Sequence, residues 1–307
     1  MDKKVLQFIE FFIGIVILVI LIYRTGIKDI YSTVIQANLL YVALSFLVLF
    51  ITLLLGALNI KIFIDYLGYQ SSFRVIGYYL FNWVISQAFP FRVSSISLIA
   101  LLTRDNIKLK DCAAATFVDR ITTFGVLFSL AAVSLLYFFR TRSIYLYIIF
   151  FVVFLIAASI FTFSGRSERI LIALFKKFKS GHLTGFTLSS KTIAKNKLLM
   201  MTNIMITLVK HVFQALVPYI IFLGFNVKVN FIEFFLISIL IITIASLPIT
   251  TSGLGIRELS AVALYSKLMG IDTVIITSTY LIFLSLKYIM SMFLLLGHLA
   301  RYLYLHR

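Results

Sequence analysis

The stretch FIEFFLISILIITIASLPITTSGLGIRELSAVALYSKLM occupies residues 231–269 and decides how this chain folds. It is an apolar run that reaches Pro248, passes through a segment rich in hydroxyl groups and glycine, and resumes as a shorter apolar run. Proline removes a backbone donor and disfavours helix at the residue before it, and neither half has the roughly 20 apolar residues that a membrane span needs. The stretch therefore predicts a re-entrant helix-turn-helix hairpin. Its tip should face the protein interior, because irregular backbone is tolerated at membrane depth only there.

A second stretch, residues 73–103, has the same organisation. Its apolar run meets Pro90 and Arg92 and then resumes for a short piece. Paired proline-interrupted segments in two halves of a chain are a sequence pointer to the central site of a transporter. Two re-entrant hairpins are therefore predicted, hairpin 1 at about 73–103 and hairpin 2 at about 231–269.

The rest of the chain is dominated by longer apolar runs. Of the 307 residues, 62% are hydrophobic and 13% are charged, and the mean hydropathy is +1.07. An average soluble domain has roughly 25% charged residues, so this composition indicates an all-α integral membrane protein. Residues 1–307 are expected to form a single polytopic domain with about six full transmembrane helices, at Leu6–Tyr23, Leu39–Phe63, Cys112–Phe139, Ile144–Phe163, Leu198–Phe225 and Val274–Tyr304. The first run is expected to be an uncleaved helix, since no small-residue cleavage site follows it.

The basic residues indicate an orientation. With the N-terminus inside and each hairpin returning to its side of entry, about 17 Lys and Arg lie on the inner face and about six on the outer face. Both termini are then cytoplasmic, and the two hairpins enter from opposite sides, as in an inverted repeat. The basic residues behind the formal charge of +17 are accordingly expected to fix the orientation in the membrane and to contact anionic lipid. No nucleic-acid partner is expected. The basic amphipathic segment at about 164–197 is interpreted either as an interfacial helix or as an ordinary cytoplasmic loop.

Both predicted hairpin tips combine hydroxyl groups with an arginine close to a new helix start. Backbone N–H groups, the helix dipole and a guanidinium would converge there, which suits a phosphate. The residues predicted to bind such a substrate are Arg92, Ser94, Ser95, Thr250, Thr251, Ser252 and Arg257. The alternative is that the hydroxyls only cap helix ends and the arginines pair with Asp119 and Glu258.

Ionisable residues inside spans are costly and each requires a partner. Asp119 and Arg120 are neighbours and point about 100° apart on a helix, so Asp119 is expected to pair with Arg92 or Arg257, and Arg120 with Glu258. Glu258 is in addition a candidate for proton coupling.

Three further ionisable residues, Lys210, His211 and Lys287, fall inside predicted spans and are candidates for lining a cavity. For Lys210 the alternative is a side chain that extends to the inner interface.

No enzymatic constellation is present in the sequence. No nucleophile with a base, metal cluster or nucleotide loop was found, the single cysteine excludes an internal disulfide, and GLGIRE lacks a preceding βαβ pattern. The expectation is a protein that is not an enzyme, with no catalytic residue, metal or cofactor.

The motifs PFRVSS at 90–95, Asp119–Arg120, and LPITTSGLGIRE at 247–258 resemble those of the flippase-like family named for the transmembrane region of lysylphosphatidylglycerol synthase. Its members show Pro-Gly-Arg-x-Gly-Glu in the first motif, where this chain has Phe91 in place of the glycine and Ser94 and Ser95 in place of Gly-Glu. The family's glutamate therefore has no counterpart here. Synthase activity requires a soluble aminoacyltransferase domain that this sequence does not supply.

The resemblance implies a flippase-like transporter that moves an anionic, phosphate-bearing lipid headgroup between leaflets of a prokaryotic plasma membrane. Candidate substrates are a phospholipid, an aminoacylated lipid or a polyprenyl phosphate. One alternative is a non-transporting accessory subunit of a lipid-modifying enzyme or glycosyltransferase, and another is a lipid-dependent membrane transferase. The sequence carries no signal for an oligomeric state.

Overall fold

The computed structural model describes residues 3–70, 73–88, 91–139, 185–247 and 249–305, together with scattered positions between 145 and 160. At 3–8, 88, 91–95 and 299–305 it describes the backbone alone. The described part is helical and contains no strand. Its helices are, in chain order, α1 Lys3–Thr25, α2 Ile27–Ile35, α3 Leu39–Tyr66, α4 Arg74–Ala88, α5 Phe91–Leu102, α6 Leu109–Phe138, α7 Phe186–Lys195, α8 Lys197–Gly224, α9 Phe231–Ala245, α10 Ile256–Met269 and α11 Thr273–Leu305.

Four helices of the described part, α3, α6, α8 and α11, are apolar and long enough to cross a bilayer. A fifth span is available if the bent pair α1 and α2 counts as one. The all-α membrane fold is thus confirmed, while the count of six spans stays a prediction. The sixth expected run, Ile144–Phe163, lies outside the described residues except for isolated positions.

The bend after α1 is a feature that the hydropathy pattern did not predict. The axes of α1 and α2 differ by 85°, and the joint is Gly26, whose φ of 96° favours glycine. On α2, Ile30 is buried against α11, whereas Ile27, Tyr31 and Ile35 form an exposed stripe at i, i+4 and i+8. The chain therefore turns sideways at the end of α1 before α3 begins.

Hairpin 1 consists of α4 and α5. With 15 and 12 residues these helices are about 22 and 18 Å long, too short for a hydrocarbon core of about 30 Å. The two legs are joined by a hydrogen bond of 2.5 Å from Ser97 Oγ to Asn82 Oδ1. At the base of the hairpin the hydroxyl of Tyr78 donates to Asp105, at 3.1 Å.

Hairpin 2 consists of α9 and α10, with 15 and 14 residues. Tyr265 on α10 is fully buried and stacks on Phe234 of α9, with ring centroids 4.7 Å apart. Its hydroxyl lies 2.6 Å from Ser238 Oγ. An aromatic stack and a hydrogen bond in a water-poor interior thus hold the legs together.

The two hairpins are embedded in separate apolar cores at opposite ends of the long helices. Hairpin 1 packs with the C-terminal half of α3 and the N-terminal half of α6, around Phe63 and Leu102. Hairpin 2 packs with the N-terminal half of α3 and the C-terminal half of α8, around Phe222 and Tyr265. Because the chain enters the bundle from opposite ends in the two cores, the hairpins are opposed. An inverted repeat produces this arrangement, and the repeat itself stays a prediction.

Part of the predicted basic segment 164–197 is a packed helix. Phe186 and Ile193 on α7 are fully buried, and Phe186 meets Phe117 of α6 edge-on. The hydroxyl of Ser189 donates to Asp111 on α6, at 2.5 Å. The interfacial-helix interpretation concerned residues that lie for the most part in 161–184, outside the described part.

The carboxylate of Asp111 also fixes the loop between α3 and hairpin 1. Tyr69 donates to Asp111 Oδ2 at 2.6 Å. Burial, together with this hydrogen bond, raises the pKa of Tyr69 to about 12. The phenol therefore stays protonated at neutral pH and keeps its donor.

Candidate functional site

The tip of hairpin 2 meets the C-terminal end of α4 near the middle of the long helices. The tip of hairpin 2 is a short 3₁₀ turn, Thr251–Gly253, followed by Gly255 with a φ of 76°. It packs against the midpoint of α1, where a methyl group added to Gly255 would collide with the carbonyl oxygen of Gly14. It also lies against the end of α4, because Gln87 and Ser252 line the same two cavities. This contact is consistent with the prediction that the tip of hairpin 2 points into the protein interior, whereas the tip of hairpin 1, at 89–90, lies outside the described residues.

Between the tips lies a cavity of about 270 Å³. The four long helices contribute residues from the middle of their lengths, such as Thr52 of α3 and Thr123 of α6. The side chains that line it and can interact with a polar ligand are Thr52, Tyr79, Trp83, Ser86, Gln87, Arg120, Thr123, Lys210, His211, Gln214, Ser246, Ser252, Arg257 and Lys287. A polar chamber at this position in an apolar bundle is where a transporter fold is expected to bind its substrate.

Four predicted cations line this cavity from four helices: Arg120 from α6, Lys210 from α8, Arg257 from α10 and Lys287 from α11. In the described part of the chain, no carboxylate oxygen lies within 4.0 Å of Lys210, Arg257 or Lys287. Arg257 and Lys287 instead both lie near one aromatic ring, with Arg257 Cζ 5.8 Å and Lys287 Nζ 6.0 Å from the centroid of Phe283. Cation–π contact with this ring stabilises two like charges next to each other.

Glu258 lies beside these cations without pairing with them. It is 3% exposed, and its Oε2 atom has no hydrogen-bond partner among the described residues. It lines a small cavity of about 10 Å³, room for about one water, which shares Gln87, Ser252 and Arg257 with the larger one. The predicted pair of Glu258 with Arg120 is wrong, because the two side chains do not approach within 4.0 Å in the described structure.

Asp119 has an amide partner where an arginine was expected. Asn203 Nδ2 on α8 donates to Asp119 Oδ1 at 3.3 Å, and the predicted pair with Arg257 is wrong for the described side chains. Arg120, the next residue, points into the cavity, in keeping with the turn of about 100° between neighbours on a helix. The alternative pairing of Asp119 with Arg92 concerns a side chain outside the described part.

The hydroxyl residues of hairpin 2 are placed as predicted, at the tip. Ser252 lines both cavities, and Thr251 lines the smaller one. Thr250 and Thr251 are buried, and neither hydroxyl oxygen has a hydrogen-bond partner among the described residues. Unpaired buried hydroxyls of this kind are available to a ligand.

The predicted residues of hairpin 1 are placed only by their backbone. Arg92, Ser94 and Ser95 follow the start of α5 at Phe91, and their side chains lie outside the described part.

Several cavity and support residues were missed by the sequence reasoning, among them Asn203, Thr207 and Gln214 on α8. Together with Lys210, which was predicted, they recur at intervals of four, three and four residues, which places them on one helical face. Thr207 accepts a hydrogen bond of 2.9 Å from Asn59 of α3. This polar stripe in an apolar helix was the signal that would have found them.

Replacing Asn203 with alanine should lower the free energy of unfolding by about 1–2 kcal/mol, because the buried Asp119 carboxylate loses its amide donor. The measurement is equilibrium unfolding in mixed micelles, with Met205→Ala as the exposed control on the same helix. A loss no greater than that of the control would contradict the importance of this contact.

These observations define a multi-pass all-α membrane protein with opposed hairpins and a cationic chamber between their tips. The chain belongs to the family whose model is described as "Lysylphosphatidylglycerol synthase TM region", which matches residues 7–294. The resemblance seen in the three motifs is thereby confirmed, and the protein is a membrane protein of lipid metabolism or transport. Comparison with curated proteins and with solved structures gave no match.

Proposed function

We propose that the protein is a lipid transporter of the flippase type, in which a phosphate-bearing headgroup crosses between leaflets through the cavity at the hairpin tips. The observation that supports this most is the convergence of Lys210, Arg257 and Lys287 on one chamber at mid-depth, with no carboxylate within 4.0 Å among the described residues. Buried charge of one sign is costly unless an opposite charge joins it. An anionic headgroup supplies that charge.

In this mechanism the polar side chains of the chamber replace the hydration shell that the phosphate loses when it leaves water. Arg257 presents a planar fork that binds two phosphate oxygens, while Lys287, near the same Phe283 ring, contributes a point charge. The hydroxyls of Thr251 and Ser252 donate to the remaining oxygens. The acyl chains stay in the bilayer against exposed apolar side chains such as Phe12 and Val19.

Hairpin 1 contributes the opposite side of the site in this proposal. Its helix α5 begins at Phe91, so the amide N–H groups of Arg92 and its neighbours belong to the first turn. The positive end of the helix dipole at that turn stabilises a phosphate. Arg92, Ser94 and Ser95 are therefore retained as headgroup ligands.

The test is leaflet exchange in liposomes that contain the purified protein. Fluorescent phosphatidylglycerol, phosphatidic acid, polyprenyl phosphate and phosphatidylcholine analogues are compared, and outer-leaflet probe is removed by a membrane-impermeant quencher. Transport of anionic analogues above the rate in empty liposomes, with no gain for phosphatidylcholine, is the expected result. Rates equal to those in empty liposomes for every anionic lipid would contradict transport and favour an accessory subunit.

We further propose that the protein lies in a prokaryotic plasma membrane with both termini in the cytoplasm, so the base of hairpin 1 is inside and that of hairpin 2 outside. In a Cys112→Ala background, Lys228→Cys should react with a membrane-impermeant maleimide in intact cells, and Lys108→Cys only after permeabilisation. Both side chains are exposed, Lys108 directly before α6 and Lys228 in the loop between α8 and α9. The reverse labelling pattern would contradict this orientation and would place both termini outside the cell.

A further inference from the structure

We propose that α2 binds the surface of the lipid bilayer as an interfacial helix, and that this contact places the tip of hairpin 2 at the centre of the membrane. The exposed apolar stripe of α2 is the binding surface, and its partner is the boundary between headgroups and acyl chains. The inference rests on the packing and the bend of α1 and α2, and it holds whether or not the protein transports lipid.

Helix α1 crosses the membrane before α2 begins. Its 23 residues are about 34 Å long, more than the hydrocarbon core of about 30 Å, so α2 is not required to complete the span. Helix α3, which follows α2, is long enough to cross back by itself. Between α2 and α3, the amide of Asn38 donates to the carbonyl of Gly224 at the end of α8, at 3.3 Å. Helix α2 therefore lies at one surface of the membrane, next to the base of hairpin 2.

The bend between α1 and α2 sets the direction of α2. Transmembrane helices are tilted by about 20° from the membrane normal on average, and α2 lies at 85° to α1. Helix α2 consequently runs close to parallel to the membrane surface. The bend is held against α11, since Thr25 Oγ1 lies 3.3 Å from Thr277 Oγ1 of that helix.

The exposed side chains of α2 divide into two faces. One face is apolar and consists of Ile27, Tyr31 and Ile35. The other face is polar and consists of Asp29, Ser32 and Gln36. At 100° per residue the apolar set falls within an arc of about 80° and the polar set within an arc of about 60°. Lys28 lies at the border of the two faces, from where its long stem reaches water.

The remaining face of α2 is covered by the protein. Ile30 is buried, and Val34 is half-buried against the core around Tyr265. The helix thus has one face for protein, one for water and one apolar face that neither of them covers. A helix in the plane of the membrane interface has its apolar face buried by about 5–10 Å at the boundary of the acyl chains, with its polar face toward water.

A bilayer fits the apolar face better than a second protein chain does. Stable protein interfaces bury about 800 Å² and about 20–30 residues on each side, whereas this face presents three side chains. Its central residue, Tyr31, and the exposed Tyr23 at the end of α1 are of a type that concentrates at membrane interfaces, because the ring is apolar and its hydroxyl is polar. The face therefore matches the chemistry of a lipid surface.

The position of α2 determines how deep the tip of hairpin 2 lies. Gly14, whose backbone the tip contacts, precedes the bend at Gly26 by twelve residues, or about 18 Å along α1. The centre of the bilayer lies about 15 Å below the edge of the hydrocarbon core. With α2 in the interface, the tip is at the level of the bilayer centre.

Depth-dependent quenching of tryptophan fluorescence tests both parts of this inference. The single tryptophan of the chain is removed by Trp83→Phe, and one reporter at a time is introduced by Tyr31→Trp, Ser32→Trp, Val19→Trp or Ile13→Trp. The proteins are placed in bilayers whose lipids carry bromine either near the headgroup end or near the methyl end of the acyl chains. Aqueous iodide measures exposure to water.

The reporter at position 31 should be quenched at least twofold more strongly by shallow than by deep bromine. The reporter at 32, on the polar face, should respond mainly to iodide. Position 19 lies about 10 Å along α1 from the bend, and position 13 adjoins Gly14, so both should respond more to deep bromine, position 13 the most. Charging the apolar face with Ile27→Asp and Ile35→Asp should raise iodide quenching at position 31 at least twofold, whereas Asp29→Asn on the polar face should leave it unchanged.

Thiol labelling provides a second measurement in which Trp83 is retained. In a Cys112→Ala background in liposomes, Ser32→Cys should react with a water-soluble maleimide at least tenfold faster than Tyr31→Cys. Equal rates, or equal iodide quenching at positions 31 and 32, would show that the apolar face lies in water and would overturn the proposal. Stronger quenching at position 31 by deep bromine would overturn it as well, because α2 would then lie inside the hydrocarbon core.

A second copy of the chain on the apolar face would give a different pattern. Tyr31→Cys would then form disulfide-linked dimers whose yield is unaffected by dilution with lipid, and neither bromine nor iodide would quench a reporter at position 31. This result would replace the bilayer by a protein partner and overturn the proposal. Leaflet exchange does not enter any of these measurements, so failure here is distinct from failure of the proposed function.

Discussion

Replacing Arg257 with alanine should slow protein-dependent leaflet exchange of an anionic lipid by about tenfold to a hundredfold. The side chain lines both cavities at the tips, and its Nε atom is buried without a hydrogen-bond partner among the described residues. A charge-assisted hydrogen bond to phosphate contributes about 1.5–3 kcal/mol, which corresponds to this range of rates. The measurement is fluorescence quenching of labelled lipid in liposomes with matched protein content.

Two variants serve as controls for this result. Lys267→Ala removes a cation from the exposed end of the same helix and should leave exchange unchanged. Arg257→Lys keeps the charge but loses the planar fork, so an intermediate rate is expected. If a folded Arg257→Ala protein exchanged lipid at the wild-type rate, Arg257 would not be part of the headgroup site.

Replacing Gly255 with leucine should lower the free energy of unfolding by more than about 2 kcal/mol and abolish exchange. The backbone at Gly255 has a φ of 76° and a ψ of −46°, a conformation that costs other residues about 1–3 kcal/mol. A side chain would also collide with the carbonyl oxygen of Gly14, on a helix that packs against the tip. Equilibrium unfolding in mixed micelles measures the loss.

Two other glycines separate the contributions to that loss. Gly270→Ala meets open space at a φ of 66° and should show only the backbone cost, about 1–2 kcal/mol. Gly125→Ala has open space at an ordinary helical position and should be close to neutral. A Gly255→Leu protein as stable as the Gly125→Ala protein would show that the tip does not pack tightly on α1.

The hairpins and the long helices could be predicted because their signals are local. Prolines interrupt apolar runs at 90 and 248, and the length of an apolar run alone decides whether it can span a bilayer. The helix α2 was missed because its nine residues are too few for a span. Its apolar and polar residues alternate along the helix, so a hydropathy profile does not distinguish it from a loop.

The positions of single cations were also predictable, whereas their partners were not. Lys210, Arg257 and Lys287 were singled out as ionisable residues in apolar runs, and all three line one chamber. The partners expected for Asp119 and Glu258 were wrong because pairing depends on how helices rotate against one another. Asp119 turns toward Asn203 on α8, and Glu258, about 100° around the helix from Arg257, faces the smaller cavity.

The position of a bound headgroup tests the proposed site most directly. Electron cryo-microscopy of the protein in nanodiscs rich in phosphatidic acid should show phosphate density between the hairpin tips, in contact with Arg257 and Lys287. Its acyl chains should extend sideways into the bilayer. A chamber that is closed or filled by an acyl chain, with every phosphate at the leaflet surfaces, would contradict a headgroup site at mid-depth.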